Sequence, residues 1–285
     1  MAANEPSRAG AQTTLPSPLE GARQAVEVIG FRGISKTFPT NDGHASEVIA
    51  GIDLSVCEGE FVAVVGPSGC GKSTLLNMAA GVMSPTDGTV SYRGEQVGEA
   101  NTRVGYVTQR DDLLPWRTVI DNVALPLELR RLPRRERVDR ARAMLEKVGL
   151  TGFEDHYPSQ ISGGMRKRVN MARTLVYEPE TLLLDEPFGA LDAQLRLLLQ
   201  QDLLDLLQES SKTVVLVTHD LAEAVVLSDR VVVLGTKPGR LLAVEDIDLP
   251  RPRSVDRERF SAETGEMQQR LWRYLENEVK KGVDV

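Results

Sequence analysis

Features that mark several classes of protein are scarce or absent in this sequence. Its 285 residues include only two cysteines, Cys57 and Cys70, which are too few for the disulfide framework of a small secreted domain. No apolar run approaches the ~20 residues that a membrane-spanning helix needs. The first residues contain no apolar segment of the kind found in secretory signals. We therefore expect a cytosolic protein whose contact with any membrane goes through a partner.

The charge balance disfavours nucleic-acid binding. The chain has 34 Lys and Arg against 41 Asp and Glu, a formal charge of −7 at pH 7, and a net-acidic chain is a poor nucleic-acid coat. Seven arginines do cluster within residues 130–142, but Glu136 and Asp139 interrupt the positive field and no aromatic residues interleave with it. We interpret the cluster as a solvated helix face and expect no nucleic acid as partner. Contact with anionic lipid headgroups is the alternative.

What is present predicts an α/β fold. Hydrophobic residues make up 41% of the chain and charged residues 26%, the balance of a soluble globular protein. Short apolar runs without polar alternation are typical of strands buried on both faces of a parallel sheet, and they occur at residues 61–65, 181–184, 213–217 and 230–234. Helical patterns interleave with them at residues 73–80, 121–150, 163–176 and 193–207. A further strand-like run starts the ordered chain at residues 26–31.

The two ends of the chain differ from this middle part. Residues 1–25 are rich in Ala, Pro, Ser, Thr and Gly, so we expect a disordered tail before a main domain at residues 26–249. Residues 250–285 form a C-terminal extension, in which helical spacing relates Met267, Leu271, Trp272, Leu275 and Val279. We interpret these as the apolar face of an amphipathic helix that docks on the domain, with a partner or regulatory surface as the alternative.

A phosphate-binding loop is predicted between an apolar strand and a helix. Gly66-Pro-Ser-Gly-Cys-Gly-Lys-Ser73 fits the pattern G-x-x-x-x-G-K-[ST]. Glycines let the backbone wrap around a phosphate, and the N–H groups at a helix start form an anion nest. The Lys72 ammonium would then lie near the β- and γ-phosphates, and the Ser73 hydroxyl can bind Mg²⁺. We interpret Cys70, inside the loop, as a small filler and not as a nucleophile.

Two further strand ends carry groups suited to phosphate chemistry. In Leu182-Leu-Leu-Asp-Glu-Pro187, Asp185 can hold Mg²⁺ directly or through water, and Glu186 can accept a proton from an attacking water. His219 follows another apolar strand directly, where its side chain can reach a γ-phosphate. Either feature alone is common at a charged turn. With the phosphate loop upstream, they indicate hydrolysis of a nucleoside triphosphate.

In this order, these elements resemble the ATP-binding subunit of an ABC transporter. Ile161-Ser-Gly-Gly-Met165 is similar to the family signature Leu-Ser-Gly-Gly-Gln, with Met165 in place of Gln and the Ser-Gly-Gly core intact. The likeness covers about residues 27–240. It implies a P-loop NTPase (RecA-like) core with an antiparallel β subdomain and a helical signature subdomain at about residues 110–176.

The resemblance also implies ATP and Mg²⁺ as cofactors and assigns roles to single residues. Phe38 would stack on adenine, Gln109 would sense Mg²⁺ and the membrane partner, and His219 would be the switch histidine. Ala190-Leu-Asp192 matches the D-loop. The implied ATP contacts are Phe38, Gly66, Pro67, Ser68, Gly69, Cys70, Gly71, Lys72, Ser73, Thr74, Ser162, Gly163, Gly164 and Asp192. The implied metal ligands are Ser73, Gln109 and Asp185, and the implied catalytic residues are Glu186, His219 and Gln109.

The family likeness further implies a homodimer that binds ATP between its two subunits. The phosphate loop of one subunit would face the Ser162-Gly163-Gly164 segment of the other. The residues agree with this, because Ser-Gly-Gly ahead of a helix is a second cradle of N–H groups, useful only if a phosphate is brought to it.

A narrower resemblance points to the nitrate/sulfonate/taurine-type importer subfamily. It is carried by residues 112–119, residues 122–128 and Asp185-Glu-Pro-Phe-Gly-Ala-Leu-Asp192. It implies a subunit on the cytoplasmic face of the cell membrane that works with a permease and a substrate-binding protein. The apolar stretch Leu113-Leu-Pro-Trp116, close to Gln109, would contact the permease. The alternative is that this stretch belongs to the core of the helical subdomain.

Other functions within the same family stay open at this point. A lipid-handling or export ABC system is the nearer alternative, and a non-transport ABC protein is the more distant one. Translation factors of the family carry two ATPase cassettes, whereas this chain has one phosphate loop. Chromosome-maintenance ATPases insert long coiled coils, and Lys72 and Asp185 are too close in sequence to enclose one. The transported solute is not encoded in this chain.

Overall fold

A computed structural model describes residues 26–40, 44–189, 191–208, 212–236 and 238–283 of the protein. The tail predicted at residues 1–25, Ala190 of the predicted D-loop and the side chain of Val279 lie outside the described part.

The described strands form two sheets. The smaller sheet contains β1 (Glu27–Pro39), β2 (Ala45–Cys57), β4 (Asp87–Tyr92) and β5 (Glu95–Gln96). The larger contains β3 (Phe61–Val65), β6 (Val104–Val107), β7 (Thr181–Asp185), β8 (Thr213–Thr218), β9 (Arg230–Leu234) and β10 (Leu241–Asp246). Their orders are β2-β1-β4-β5 and β10-β9-β3-β8-β7-β6. The smaller sheet is antiparallel, and in the larger one only β10 runs antiparallel to its neighbour.

The register of the larger sheet brings its catalytic candidates to one edge. Every residue of β3, β7 and β8 is buried, as the unbroken apolar runs predict. Val65 pairs with Thr218, and Asp185 pairs with Val217, so the carboxyl ends of the three strands lie level. The phosphate loop, Glu186 and His219 therefore all leave the sheet at the edge where open α/β sheets bind ligands.

The helices divide between the two parts of the fold. The helices α1 (Lys72–Ala79), α5 (Ala193–Gln208) and α6 (Leu221–Leu227) pack on the larger sheet. The helices α2 (Val119–Leu129), α3 (Arg134–Lys147) and α4 (Gly163–Leu175) form the predicted helical insertion, which has its own apolar cluster. Two C-terminal helices follow, α7 (Val255–Glu258) and α8 (Ala262–Val283). None of the helices among these residues is both long and apolar enough to cross a membrane.

The predicted amphipathic helix docks on the main domain. Leu271 and Leu275 of α8 are buried in one cluster with Ala224 and Val225 of α6. Trp272, however, is 48% exposed, so its assignment to the buried face was wrong. Adjacent helical residues point about 100° apart, which turns Trp272 away from the side that Leu271 buries.

Candidate nucleotide site

The phosphate loop connects β3 to α1, and two of its glycines are tightly packed. Gly71 has φ of +93°, and a Cβ there would lie 2.6 Å from Cγ1 of Ile49. A Cβ on Gly66 would lie 2.6 Å from the backbone oxygen of Leu234. A larger residue at Gly71 would be strained in its backbone as well as crowded, because only glycine adopts this conformation freely.

The charged group of the loop is held by the loop itself. Lys72 Nζ donates hydrogen bonds to the carbonyl oxygens of Gly66 at 2.8 Å and Pro67 at 3.0 Å. Cys70 is fully buried, and burial raises the pKa of its thiol, which agrees with its interpretation as a filler. The ammonium is therefore placed on the phosphate loop before any nucleotide arrives.

Two oxygen ligands meet beside the loop. The Ser73 hydroxyl donates to Oδ1 of Asp185 at 3.0 Å, and Asp185 is buried. Burial raises the pKa of Asp185, while the hydrogen bond from Ser73 lowers it. Within the described ranges no group of three or more His, Cys, Asp or Glu could hold a metal. Such a sparse set of hard oxygen ligands fits Mg²⁺, which usually keeps waters and nucleotide phosphates as its other ligands.

Two of the predicted catalytic residues, Gln109 and His219, lie against the carboxylate of the third, Glu186. Gln109 Nε2 donates to Oε2 of Glu186 at 3.0 Å, and His219 Nδ1 lies 3.3 Å from Oε1 of the same group. The Glu186 backbone N–H donates to the carbonyl of Val217 at 2.9 Å, and the residue has φ of +45°. A non-glycine residue rarely adopts this conformation, which costs energy and is often found at functional sites. In this structure the Gln109 amide thus contacts Glu186, and no hydrogen bond among the described residues joins it to Ser73 or Asp185.

A cavity of about 420 Å³ opens beside these three side chains. Lys167 of α4 also lines it; its ammonium donates to the carbonyl of Gln109 and lies 3.1 Å from Oδ1 of Asp111. Lys167 is not predicted as a site residue from the sequence. The only signal for it is the basic triplet 166–168, which follows the Ser-Gly-Gly segment. Lys167 therefore ties the signature helix to the backbone of Gln109.

The Ser-Gly-Gly segment lies apart from the phosphate loop of its own chain. Ser162 is exposed and caps α4, accepting a hydrogen bond from the Met165 N–H at 3.2 Å. Among the contacts of the described residues, none joins Ser162 or Gly163 to the phosphate loop. A Cβ on Gly164 would lie 2.3 Å from Cδ2 of Leu195, so a larger residue there would displace this side chain of α5.

The two remaining predicted ATP contacts, Phe38 and Asp192, lie on other elements. Phe38 is half-buried on β1, with the Lys36 ammonium 5.2 Å from its ring centroid. This is cation–π geometry and leaves the ring on the antiparallel sheet. Asp192 lies at the start of α5, where Oδ1 accepts a hydrogen bond from the Leu195 N–H at 2.9 Å.

One part of the apolar stretch after Gln109 packs in the core of the helical insertion, and another part is exposed. Leu113 packs against the core of the helical insertion, whereas Trp116 is 71% exposed. The buried Asn122 side chain fixes the loop by accepting from the Leu114 N–H at 2.8 Å and donating to its carbonyl at 3.1 Å. The loop is therefore well anchored and still presents a large aromatic side chain on the surface.

Comparison with known proteins identifies the family. The family profile described as ABC transporter matches residues 49–189. An uncharacterised ABC transporter ATP-binding protein of Methanocaldococcus jannaschii is 48% identical over 250 residues, covering 88% of this chain and 92% of that protein. The chain belongs to the ABC transporter ATP-binding family. The family predicted from the sequence is therefore confirmed.

Other members of the ABC family show the same likeness. The aliphatic sulfonates import ATP-binding protein of Bacillus licheniformis is 46% identical, covering 73% of this chain and 81% of its own. The bicarbonate transport ATP-binding protein of a Synechocystis species is 41% identical, covering 86% and 88%. A solved ATP-binding cassette, dimeric and bound to ADP and phosphate, has a TM-score of 0.71 at 33% identity and covers 78% and 100%. The predicted P-loop NTPase fold, the binding of ATP and the ATPase activity are confirmed.

Proposed function

We propose that this ABC ATPase energises an importer of a small solute, and that two copies of it close around ATP. Support for import comes from the relatives named for sulfonate import and bicarbonate transport. The subunit would bind peripherally at the cytoplasmic face of the membrane, beneath a permease that receives solute from a binding protein. Nitrate, sulfonate, taurine and similar solutes are the candidate cargo.

The observation that carries the proposal is the arrangement around Glu186. Its carboxylate lies at the sheet edge where the phosphate loop begins, and Gln109 and His219 each contact one of its oxygens. A carboxylate held in this way can accept the proton of a water that attacks the γ-phosphate. His219, 66% exposed at its side chain, is free to contact the γ-phosphate when ATP binds.

The phosphate loop supplies binding and charge stabilisation in this mechanism. When ATP binds, the Lys72 ammonium moves its hydrogen bonds from the loop carbonyls to the β- and γ-phosphates, and its positive charge offsets theirs. Ser73 and Asp185 are the residues that fit Mg²⁺, which when bound neutralises charge developing on the phosphates. Glu186 then takes the proton, and Gln109 and His219 hold its two oxygens in place.

The second half of the site comes from the other copy. Ser162 and Gly163 are exposed at the start of α4 and have no contact with the phosphate loop in the described part of their own chain. They offer N–H groups to the γ-phosphate bound by a partner. The solved relative that binds ADP and phosphate is a dimer, which supports this arrangement.

The permease contact is proposed at the loop Leu113–Trp116. Trp116 is an exposed aromatic of the kind that anchors interfaces, and it lies in the loop that follows Gln109. Because Gln109 contacts Glu186, a shift of this loop in the complex would alter the carboxylate that activates water. Closure of the two copies and movement of the permease would thereby be coupled.

Purification of the tagged chain from its own membranes tests the proposed function. We expect an integral membrane permease to co-purify, and the complex in vesicles to hydrolyse ATP faster when loaded binding protein is added. Stimulation by a lipid or an exported solute, with no dependence on a binding protein, would support the export alternative. Recovery without any membrane protein would contradict a role in transport.

A further inference from the structure

The carboxylate of Asp220 helps to hold the loop that carries His219. Asp220 caps α6: its Oδ1 accepts hydrogen bonds from the N–H groups of Ala222 at 2.9 Å and Glu223 at 3.1 Å. Its other oxygen, Oδ2, faces two arginines and is mostly shielded from solvent. His219 directly precedes Asp220. The contacts that fix Asp220 therefore also fix the backbone position of His219.

One of these arginines comes from the segment that follows the D-loop. Arg196 Nη1 lies 3.8 Å from Oδ2 of Asp220, and Arg196 Nη2 donates to the carbonyl of Leu191 at 3.1 Å. The Arg196 backbone N–H also donates to the carbonyl of Asp192 at 3.0 Å. Arg196 therefore connects the D-loop to the loop of His219.

The other arginine comes from the C-terminal extension and is the closer of the two. Arg259 Nη2 lies 2.7 Å from Oδ2 of Asp220, and both side chains are about 20% exposed. This hydrogen bond helps to keep the pKa of Asp220 below its usual value, although burial acts in the opposite direction. A charged pair this shielded is costly to break, because the remaining carboxylate is left without its closest cation.

The C-terminal segment is itself anchored before it reaches Arg259. Arg253 is buried and donates to the carbonyls of Ser228 at 2.6 Å and Val226 at 3.3 Å, both at the end of α6. The Val255 N–H donates to Oε1 of Gln201 on α5 at 2.8 Å. The segment is thus anchored to both α5 and α6. These anchors fix the position from which the Arg259 side chain reaches Asp220.

We propose that Arg259 is a positioning residue for ATP hydrolysis, through which the C-terminal extension holds the switch loop of His219. Arg259 acts on Asp220, Asp220 fixes the start of the His219 loop, and His219 contacts Glu186. No described contact joins Arg259 to the phosphate loop, so it acts on turnover and not on nucleotide affinity. The inference rests on the role proposed for His219.

The test compares ATP turnover and ATP affinity in purified full-length variants. We expect Arg259→Ala to lower kcat on the order of tenfold, since small displacements of catalytic groups carry such costs. ATP affinity of the dilute protein stays at the wild-type value. Arg259→Lys restores most of the rate, because one nitrogen makes the contact and an ammonium can replace it. Arg257→Ala, which removes an exposed arginine from the short helix that Arg259 follows, leaves kcat unchanged.

A second variant reaches the same contact from the other side. Asn caps helices as well as Asp does, so Asp220→Asn keeps the cap of α6 and loses the charge that pairs with Arg259. Its kcat falls as in Arg259→Ala, and the double variant is no slower than either single one. This variant tests the pairing even if Arg259→Ala folds poorly.

His219→Ala separates failure of the inference from failure of the proposed function. If His219→Ala is inactive while Arg259→Ala and Asp220→Asn both keep the wild-type kcat, the proposed function stands and the positioning role is wrong. If His219→Ala itself turns over ATP normally, the role proposed for His219 is wrong, and the inference falls with it. Additive losses in the double variant would also overturn the inference.

Discussion

At the scale of single residues, the proposed catalysis depends most on Glu186. It occupies a backbone conformation with φ of +45°, and each of its carboxylate oxygens has a neighbour, Gln109 or His219. The sequence predicts Glu186 and His219 because each follows an apolar strand, whereas Gln109 is predicted by the family resemblance. The sequence does not predict Lys167 or Arg259, because long cationic side chains follow no sequence spacing that reveals their partners across the fold.

Glu186→Gln should bind ATP and lose turnover. The amide keeps the size of the side chain but cannot accept the proton of the attacking water, so we expect a fall of about 10²- to 10⁴-fold in kcat. Phosphate release and nucleotide binding would be measured on the purified protein. Glu178→Gln is a matched control, since Glu178 is an exposed glutamate that also has positive φ. Phosphate release by Glu186→Gln at the wild-type rate would contradict the assignment.

At the scale of elements, the strands that are buried on both faces are the ones that the sequence predicts most accurately. Strands β3 and β9 have the predicted bounds, because their unbroken apolar runs match the core of a parallel sheet. By contrast, β1 was expected to end at Phe31 and continues to Pro39. Its pairing with β2 shifts register around Arg32 and Gly33, which interrupts the alternation that predicts a strand. Strands β2, β4, β5, β6 and β10 were missed. Four of them are partly exposed and lack such runs, and β6, although mostly buried, has only four residues, one of them glycine.

Helix α6 should make the stability of the protein depend on pH through Glu223. Burial raises the pKa of Glu223 to about 7, and Asp220 adds to the rise, while the Thr218 hydroxyl, Arg196 and Arg259 oppose it. The folded protein keeps a proton that the unfolded chain releases above pH 4.5, so this contribution to stability falls as pH rises to about 7 and is constant above.

Glu223→Gln should remove that dependence, since the amide can still accept the hydrogen bond from Thr218. Relative to wild type, we expect the variant to gain up to about 3 kcal/mol in free energy of unfolding between pH 5 and pH 8. Urea titrations of both proteins at several pH values measure it. The exposed Glu263→Gln serves as control. Parallel pH profiles for wild type and Glu223→Gln would show that the buried carboxyl titrates normally.

At the scale of the whole molecule, the exposed aromatic side chains are the candidates for contact with partner proteins. The described part contains two exposed tryptophans, Trp116 on the loop after Gln109 and Trp272 on α8. The sequence placed Trp272 on a buried face and left Trp116 open between core and interface. Helical spacing cannot resolve such cases, because exposure depends on which neighbouring element covers each side of a helix or loop.

Trp116→Ala should weaken assembly with the permease and leave the fold intact. An interface anchor of this kind contributes about 2 kcal/mol or more, which corresponds to a loss of affinity of about 30-fold. Pull-down of the permease and the melting temperature would be measured together. Trp272→Ala is the matched control and should bind normally. A collapse in melting temperature with unchanged pull-down would show that Trp116 is a core residue.

Binding of ATP between two copies of the chain is the central feature of the proposed mechanism. Ser162→Arg places a bulky side chain at the start of α4, where it should block closure on a partner's nucleotide. ATP affinity of the dilute monomer should stay unchanged, while ATP-dependent dimerisation and hydrolysis are lost together. Lys72→Ala should instead weaken ATP binding in the monomer, because it removes a charge from the phosphates.

Mixing the two variants is the most direct test of this central claim. Neither Ser162→Arg nor Lys72→Ala alone hydrolyses ATP, but a mixed dimer keeps one intact site, with Lys72 from one chain and Ser162 from the other. An equal mixture should therefore recover up to about a quarter of the wild-type rate, since about half of the dimers are mixed and each has one working site. No recovery of activity in mixtures that form dimers with ATP, or loss of ATP affinity in the Ser162→Arg monomer, would contradict the two-copy site.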